Sequence, residues 1–101
     1  MLEFHVTVTV PADHPCLAGH FPGRPVVPAV LLLELAAAAL RERLGPLRIN
    51  GASGAKFLKP VLPDQPLLLT LSADTARGRA GFRCESGDGL AAHGELSFDR
   101  P

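Results

Sequence analysis

Tryptophan and tyrosine are absent from this sequence, and only two cysteines are present. With five phenylalanines as its only aromatic residues, the chain has no aromatic ladder on which nucleic acid bases could stack. Cys16 and Cys84 follow no metal-ligand spacing, so we expect no metal site, no cofactor, and free thiols in a reducing cytoplasm. Ten basic residues balance ten acidic ones. No global electric field therefore favours nucleic acid or a membrane surface as a partner.

Long hydrophobic runs are missing as well. The longest run, Val26 to Leu40, is interrupted by Pro28 and Glu34 and is shorter than the roughly 20 residues that a membrane-spanning helix requires. The N-terminus lacks the basic start and apolar stretch of a secretory signal. The 101 residues are nevertheless 47% hydrophobic, which is enough to build a small core. We expect residues 1–101 to form a single domain.

Hydrophobic periodicity predicts one helix and about five strands. Apolar residues alternate with polar ones from Phe4 to Val10, as in a half-buried strand. Strong helix formers run from Ala29 to Arg43, with Pro28 in the first turn and Gly45 and Pro46 as the stop. The density of proline between Ala12 and Pro28 excludes regular structure there. The other predicted strands are Asn50–Leu58, Pro66–Asp74, Arg79–Glu85 and Leu90–Phe98. These elements predict an α+β fold.

Glu34 is the only charged residue between positions 29 and 40 of the predicted helix. A helix that is apolar on every other face must be surrounded by protein, for example by a curved sheet. A carboxylate buried there would favour its protonated form and could act as a general acid. The alternative is a structural glutamate, paired with an arginine or reaching solvent at a subunit edge.

His20 lies in a loop rich in glycine and proline that could present an imidazole to a cleft. A histidine base and a carboxylic acid together can perform an elimination, in which the imidazole takes a proton from the carbon next to a carbonyl and the acid gives one to the departing hydroxyl. The free amides of Ala29 and Val30, at the positive end of the helix, could bind the developing enolate oxygen. An isolated loop histidine is more often without chemistry, and His5, His14 and His93 are interpreted in that way.

Two segments resemble one enzyme family. The sequence GHFPGRPVVPAVLLLE at residues 19–34 is similar to the active-site signature of the 3-hydroxyacyl-acyl carrier protein dehydratases, the FabA and FabZ family. The sequence GAKFLKPVLPD at residues 54–64 resembles the family's strand and proline-rich turn. The resemblance implies a hot-dog fold, in which an antiparallel sheet wraps around one long helix.

The same resemblance implies roles for individual residues. His20 would be the catalytic base and Glu34 the acid, and a glutamate at this position is typical of the FabZ branch. Gly19, Phe21, Val30 and the amide of Ala29 would contact the substrate. Ala29 stands where the family has glycine, and Ala38 stands where the family usually has glutamine.

The partners implied are an acyl carrier protein bearing the substrate and a second copy of the chain, in a homodimer whose active sites are shared between subunits. Assembly beyond the dimer is left open. Carrier proteins are acidic, and eight cations could form a docking patch for one. These are Arg24, Arg41, Arg43, Arg48, Lys56, Lys59, Arg77 and Arg79.

The predicted function is therefore dehydration of 3-hydroxyacyl thioesters to trans-2-enoyl thioesters, in fatty acid synthesis or in a related polyene or polyketide pathway. One alternative is a hot-dog thioesterase, in which an acidic helix residue activates water. A second alternative is a catalytically silent homologue that binds acyl chains or completes a heterodimer. The changes at Ala29 and Ala38 favour this second alternative, and the presence of both His20 and Glu34 counts against it.

Overall fold

The structure is a computed structural model that describes residues 1–17 and 26–101. In this part of the chain it contains five strands, one α-helix and one short 3-10 helix. The elements are β1 (Leu2–Thr9), the 3-10 helix (Pro15–Leu17), α1 (Ala29–Leu44), β2 (Arg48–Phe57), β3 (Pro66–Asp74), β4 (Arg79–Ser86) and β5 (Gly89–Asp99).

The predicted elements are confirmed to within two residues at every end. Two details differ. Pro28 precedes the first helical residue and has an extended backbone, with φ −62° and ψ 146°. Its carbonyl oxygen accepts the first hydrogen bond of the helix, from the N–H of Leu31 at 3.0 Å. The 3-10 helix also lies inside the segment from which regular structure was excluded, since a single turn of that kind tolerates a leading proline.

Gly45 ends α1 as predicted. Its φ of 87° lies in the region that side chains disfavour, and its N–H donates to the carbonyl oxygen of Arg41 at 2.8 Å.

The five strands form one antiparallel sheet in the order β1-β3-β4-β5-β2. Strands β3, β4 and β5 are joined by short turns and pair with their chain neighbours. β1 and β2 are the two edges, so strands close in sequence to α1 lie farthest apart in the sheet. The sequence predicted the strands but not this order.

The core lies between α1 and one face of the sheet. Leu31, Leu32, Ala36 and Leu40 of α1 pack there against apolar residues that point inward from the strands. Among the largest fully buried of these are Leu67, Leu69, Leu71, Cys84 and Leu96. No helix of the described part of the chain is long and apolar enough to cross a membrane.

The opposite face of α1 is open, which corrects the prediction of a helix surrounded by protein. Val30, Glu34 and Ala38 follow one another at intervals of four residues and are all exposed. Residues spaced in this way lie on one side of a helix. The five-stranded sheet covers only the other side, so residues 1–17 and 26–101 leave this face uncovered.

Candidate active site

A cleft of about 360 Å³ lies where α1 begins. One wall is the start of the helix with the residues just before it, and the other is the end of β2 with the segment that follows. The lining residues are Val26, Val27, Pro28, Ala29, Leu32, Phe57, Leu58, Lys59, Pro60 and Val61.

Two backbone hydrogen bonds hold these walls in place. The N–H of Val27 donates to the carbonyl oxygen of Val61 at 2.8 Å, which ties the entry to α1 to the segment after β2. The N–H of Leu58 donates to the carbonyl oxygen of Ala91 at 2.7 Å, which ties that segment to β5. The cleft is therefore built by segments distant in the sequence.

The cleft carries exposed apolar side chains. Phe57 is 43% exposed and Leu58 is 55% exposed. Val30, the residue after Ala29 of the cleft, is 60% exposed. Sequence analysis did not assign Phe57 and Leu58 to the site, although a signal was present. Two successive residues of a strand cannot both face the hydrophobic core, because successive side chains point to opposite faces of the sheet. One of the two had to face outward.

The helix start also presents hydrogen-bond donors. The carbonyl oxygen of Pro28 accepts from Leu31 at 3.0 Å and from Leu32 at 3.4 Å, so the amides of Ala29 and Val30 precede the first helical hydrogen bond. Pro28 provides no side-chain cap. The two amides predicted as donors lie at the positive end of the helix, beside the cleft.

Glu34 lies one helical turn after Val30 and is exposed on the same face of α1. This contradicts the expectation that Glu34 is buried within its own chain. It agrees with the alternative in which the glutamate reaches a subunit edge. Ala38, one further turn along, is also exposed, so its short side chain leaves space beside Glu34.

Gly19, His20, Phe21 and Arg24 lie outside the described residues. The chain on both sides of them is anchored to one segment. Before them, the N–H of Ala12 donates to Oδ1 of Asp64 at 3.1 Å, and the carbonyl oxygen of Val10 accepts from the N–H of Asp64 at 2.7 Å. After them, Val27 is bonded to Val61 in the wall of the cleft.

Asp64 was not predicted as a structural residue. Its φ is 64°, a conformation that aspartate and asparagine tolerate better than most residues. This turn directs its amide and carboxylate to the strand end that leads into the 3-10 helix. The proline-aspartate pair at residues 63–64 was a turn signal in the sequence.

Lys59 lies at the rim of the cleft and forms an ion pair with Asp88 in the turn between β4 and β5. Ser86 Oγ also donates to Asp88, at 2.9 Å. The hydrogen bond from Lys59, followed by the one from Ser86, holds the pKa of Asp88 below its ordinary value. The ion pair therefore joins the segment after β2 to the neighbouring hairpin.

Most cations of the predicted docking patch have partners within the chain. Arg41 Nε donates to the carbonyl oxygen of Leu47 at 3.2 Å, and the guanidinium of Arg43 lies 5.2 Å from the ring centroid of Phe4. Four others form ion pairs: Arg48 with Asp99, Lys59 with Asp88, Arg77 with Asp74, and Arg79 with Glu95. Scattered, paired charges describe these residues better than one continuous patch.

Comparison with known proteins identifies the family. The sequence profile of the ApeI-like family, described as ApeI dehydratase, matches residues 2–95. The chain belongs to the ApeI-like dehydratase family. The 3-hydroxyacyl-[acyl-carrier-protein] dehydratase FabZ of Chloroflexus aggregans is 37% identical over 100 residues, which cover 88% of this chain and 69% of the relative. This match confirms the resemblance to the FabZ dehydratases.

Solved structures confirm the hot-dog fold of this family member. The dehydratase heterocomplex ApeI:P from Xenorhabdus doucetiae superposes with a TM-score of 0.88 at 24% identity, over 97% of this chain and 88% of that one. The pyran synthase domain from module nine of the sorangicin pathway superposes with a TM-score of 0.76 at 27% identity, over 98% of this chain and 36% of that one.

Proposed function

We propose that this chain catalyses the dehydration of 3-hydroxyacyl thioesters, carried on an acyl carrier protein, to trans-2-enoyl thioesters. The observation that carries the proposal is the arrangement of α1. Its first amides lie beside an apolar cleft, and Glu34 is exposed one helical turn further along, where the cleft of a partner subunit could receive it. An acyl thioester needs these three features: a donor for the carbonyl, an acid for the hydroxyl and an apolar surface for the chain. Membership in the ApeI-like family supports the same reaction.

In the proposed reaction the amides of Ala29 and Val30 hold the thioester carbonyl oxygen. The imidazole of His20 takes a proton from the carbon next to the carbonyl, and that electron pair becomes the new double bond. The bond from the third carbon to its hydroxyl breaks, and the carboxylic acid of Glu34 protonates the departing hydroxyl to give water. The hydrogen bonds that tie Ala12 to Asp64 and Val27 to Val61 support this proposal, because they hold the chain before and after His20 against the segment that follows β2.

We propose that a second copy of the chain covers the open face of α1, so that each active site joins His20 of one subunit to Glu34 of the other. The stripe of Val30, Glu34 and Ala38 supports this arrangement, because the described residues leave it exposed and it presents Glu34 to a partner subunit. A cytoplasmic location is part of the proposal. The free Cys84 thiol agrees with a reducing compartment.

The test is incubation of the purified protein with a 3-hydroxyacyl carrier protein, followed by mass spectrometry. Loss of water supports dehydration. Release of the free acid would indicate a thioesterase instead. No change with any acyl length would indicate a silent acyl-binding chain or one half of a heterodimer. Repeating the assay with the natural partner added distinguishes these two.

Two substitutions test the proposed catalytic residues. His20→Ala and Glu34→Gln should each lower the rate by about 10²- to 10⁴-fold, the usual contribution of general acid-base catalysis. Glu42→Gln on the same helix and His14→Ala in the preceding loop are matched controls and should retain activity. Mixing the two inactive variants should restore about a quarter of the activity if sites are shared, because random assortment pairs two intact residues in that share of the sites. Full activity of His20→Ala or of Glu34→Gln would refute the catalytic role proposed for that residue.

A further inference from the structure

A groove of about 370 Å³ crosses the outer face of the sheet, on the side away from α1. It runs over β3, β4 and β5 and is separate from the cleft at the helix start. Its polar and glycine lining comprises Thr70, Ser72, Gly81, Arg83, His93 and Gly94. No role was predicted for this face of the sheet.

The groove exists because Gly81 leaves a gap in the outer face. A Cβ atom at Gly81 would find its nearest neighbour, the carbonyl oxygen of Gly94, at 3.9 Å, so the space above it is open. Gly81 is the register partner of Ser72 on one side and of Glu95 on the other. A larger residue at position 81 would fill this space and close the groove.

Beside this gap, basic side chains occupy adjacent strands. Arg83 is the register partner of His93, and His93 is the register partner of Lys56. Within the described residues, neither His93 nor Lys56 has an ion pair or a side-chain hydrogen bond.

The nearby carboxylates neutralise the positive charge beside the groove only in part. Oε1 of Glu85 lies 3.7 Å from Nε of Arg83, which is a long contact. The side chain of Arg83 is 57% exposed and that of Glu85 is 38% exposed. Oε1 of Glu95 is held by Arg79 at 3.1 Å. An exposed pair of this kind contributes little and leaves the guanidinium able to bind another anion.

Hydroxyl groups complete the site. Thr70 is the register partner of Arg83, and Thr70 Oγ1 lies 3.0 Å from Nδ1 of His5. Ser72 Oγ is 3.4 Å from the carboxylate of Glu3, a long contact that an anion can replace. A guanidinium, an imidazole and two hydroxyls around an open floor match the several acceptor oxygens of a phosphate group.

We propose that this groove binds a phosphate group, with Arg83 as the charged contact and His93, Thr70 and Ser72 as hydrogen-bond donors. Free phosphate and phosphate esters share this chemistry. The proposal goes beyond dehydration and holds whether or not the chain proves to be a dehydratase.

The test is a titration of the ¹⁵N-labelled protein with inorganic phosphate, and separately with glycerol 3-phosphate, at constant ionic strength with chloride. We expect saturable shifts of the amide signals of Gly81, Arg83 and His93. Binding of inorganic phosphate alone identifies free phosphate as the ligand. Comparable binding of glycerol 3-phosphate identifies a phosphate ester.

Two variants and one control complete the test. Arg83→Gln and His93→Gln should each weaken phosphate binding by about tenfold or more, as expected for loss of a charge-assisted hydrogen bond. Arg77→Gln removes an exposed cation that pairs with Asp74 in the turn after β3, and it should leave binding unchanged. The dispersion of the amide spectrum reports folding of each variant. Shifts that never saturate, or equal binding by Arg83→Gln and the unaltered chain, would overturn the proposal.

Discussion

The two edge strands of the sheet differ in regularity. β1 pairs with β3 through eight consecutive residue pairs, and its apolar residue Phe4 is buried. β2 pairs with β5 through two register shifts, and no residue of β2 is fully buried. The irregular edge is the one that leads into the cleft. Bulges twist a strand and redirect its side chains, so of the two edges β1 is regular and β2, which leads to the site, is irregular.

The largest expected effect is a difference in the free energy of unfolding between two variants, one at an apolar residue of β1 and one at the apolar residue that directly follows β2. Phe4→Ala should cost about 3–5 kcal/mol of the free energy of unfolding, because the ring is 8% exposed and packs in the core. Leu58→Ala, at 55% exposure beside the cleft, should cost less than about 1 kcal/mol. Urea denaturation of both variants measures the difference. Equal losses would show that the β2 edge contributes to the core as strongly as β1.

Gly94 tests how the bulge of β2 packs on β5. A Cβ atom at this position would lie 2.8 Å from Cα of Ala55 and 2.9 Å from Cε1 of Phe82. Gly94→Ala should therefore destabilise the fold by about 1–3 kcal/mol, the usual cost of overpacking. Gly87→Ala is the control, because its Cβ would meet nothing within 4 Å. Thermal unfolding compares the two, and a Gly94→Ala variant as stable as the control would contradict the close packing.

Gly54 tests the bulge itself. Its φ is 60°, and a Cβ atom there would meet nothing within 4 Å, so backbone conformation is the only cost of a side chain. Gly54→Ala should lose about 1–2 kcal/mol, the penalty of a left-handed conformation. Gly54→Asn should lose less, since asparagine adopts this conformation more readily. Urea unfolding of both variants checks the order, and an equally stable alanine variant would argue against the bulge.

The smallest effect concerns the ion pair at the end of the β2 edge. The pKa of Asp88 is lower in the folded chain than its ordinary value of 3.8, chiefly through the hydrogen bond from Lys59. The contribution of this pair is therefore complete above that value and is lost as pH falls through the folded pKa. Asp88→Asn should make unfolding less dependent on pH in this acid range.

Asp13→Asn is the matched control for that experiment. Asp13 is exposed, and within the described residues its carboxylate has no ion-pair partner. Stability curves against pH for the two variants and the unaltered chain provide the comparison. Parallel curves for Asp88→Asn and the unaltered chain would mean that the pair contributes nothing measurable.

Much of the secondary structure could be predicted from neighbouring residues. The alternation from Phe4 to Val10, the helix formers after Pro28 and the turn before Gly89 are local signals, and each predicted element was found. The site was less accessible to prediction. Phe57 and Leu58 were missed because alternation indicates which residues share a face, and the location of a cleft depends on what packs against that face.

Glu34 shows the same limit. Its isolation in an apolar helix drew attention to it correctly, but the burial inferred from that pattern was wrong for the single chain. An all-apolar helix can be covered by its own sheet or by another copy, and the pattern is identical in both cases. Family membership, by contrast, followed from the motif at residues 19–34, since ordered residue types at fixed spacing are visible in the chain itself.

Local sequence was sufficient for the helix, the five strands, the turns and the family, because propensity, periodicity and motif spacing act between residues close in the chain. The sheet order β1-β3-β4-β5-β2, the bulges of β2 and the open face of α1 depended on the folded structure. These features arise from pairing and packing between segments distant in the sequence, such as His5 with Thr70 and Val10 with Asp64. Competition among such long-range contacts leaves no signature in any one segment.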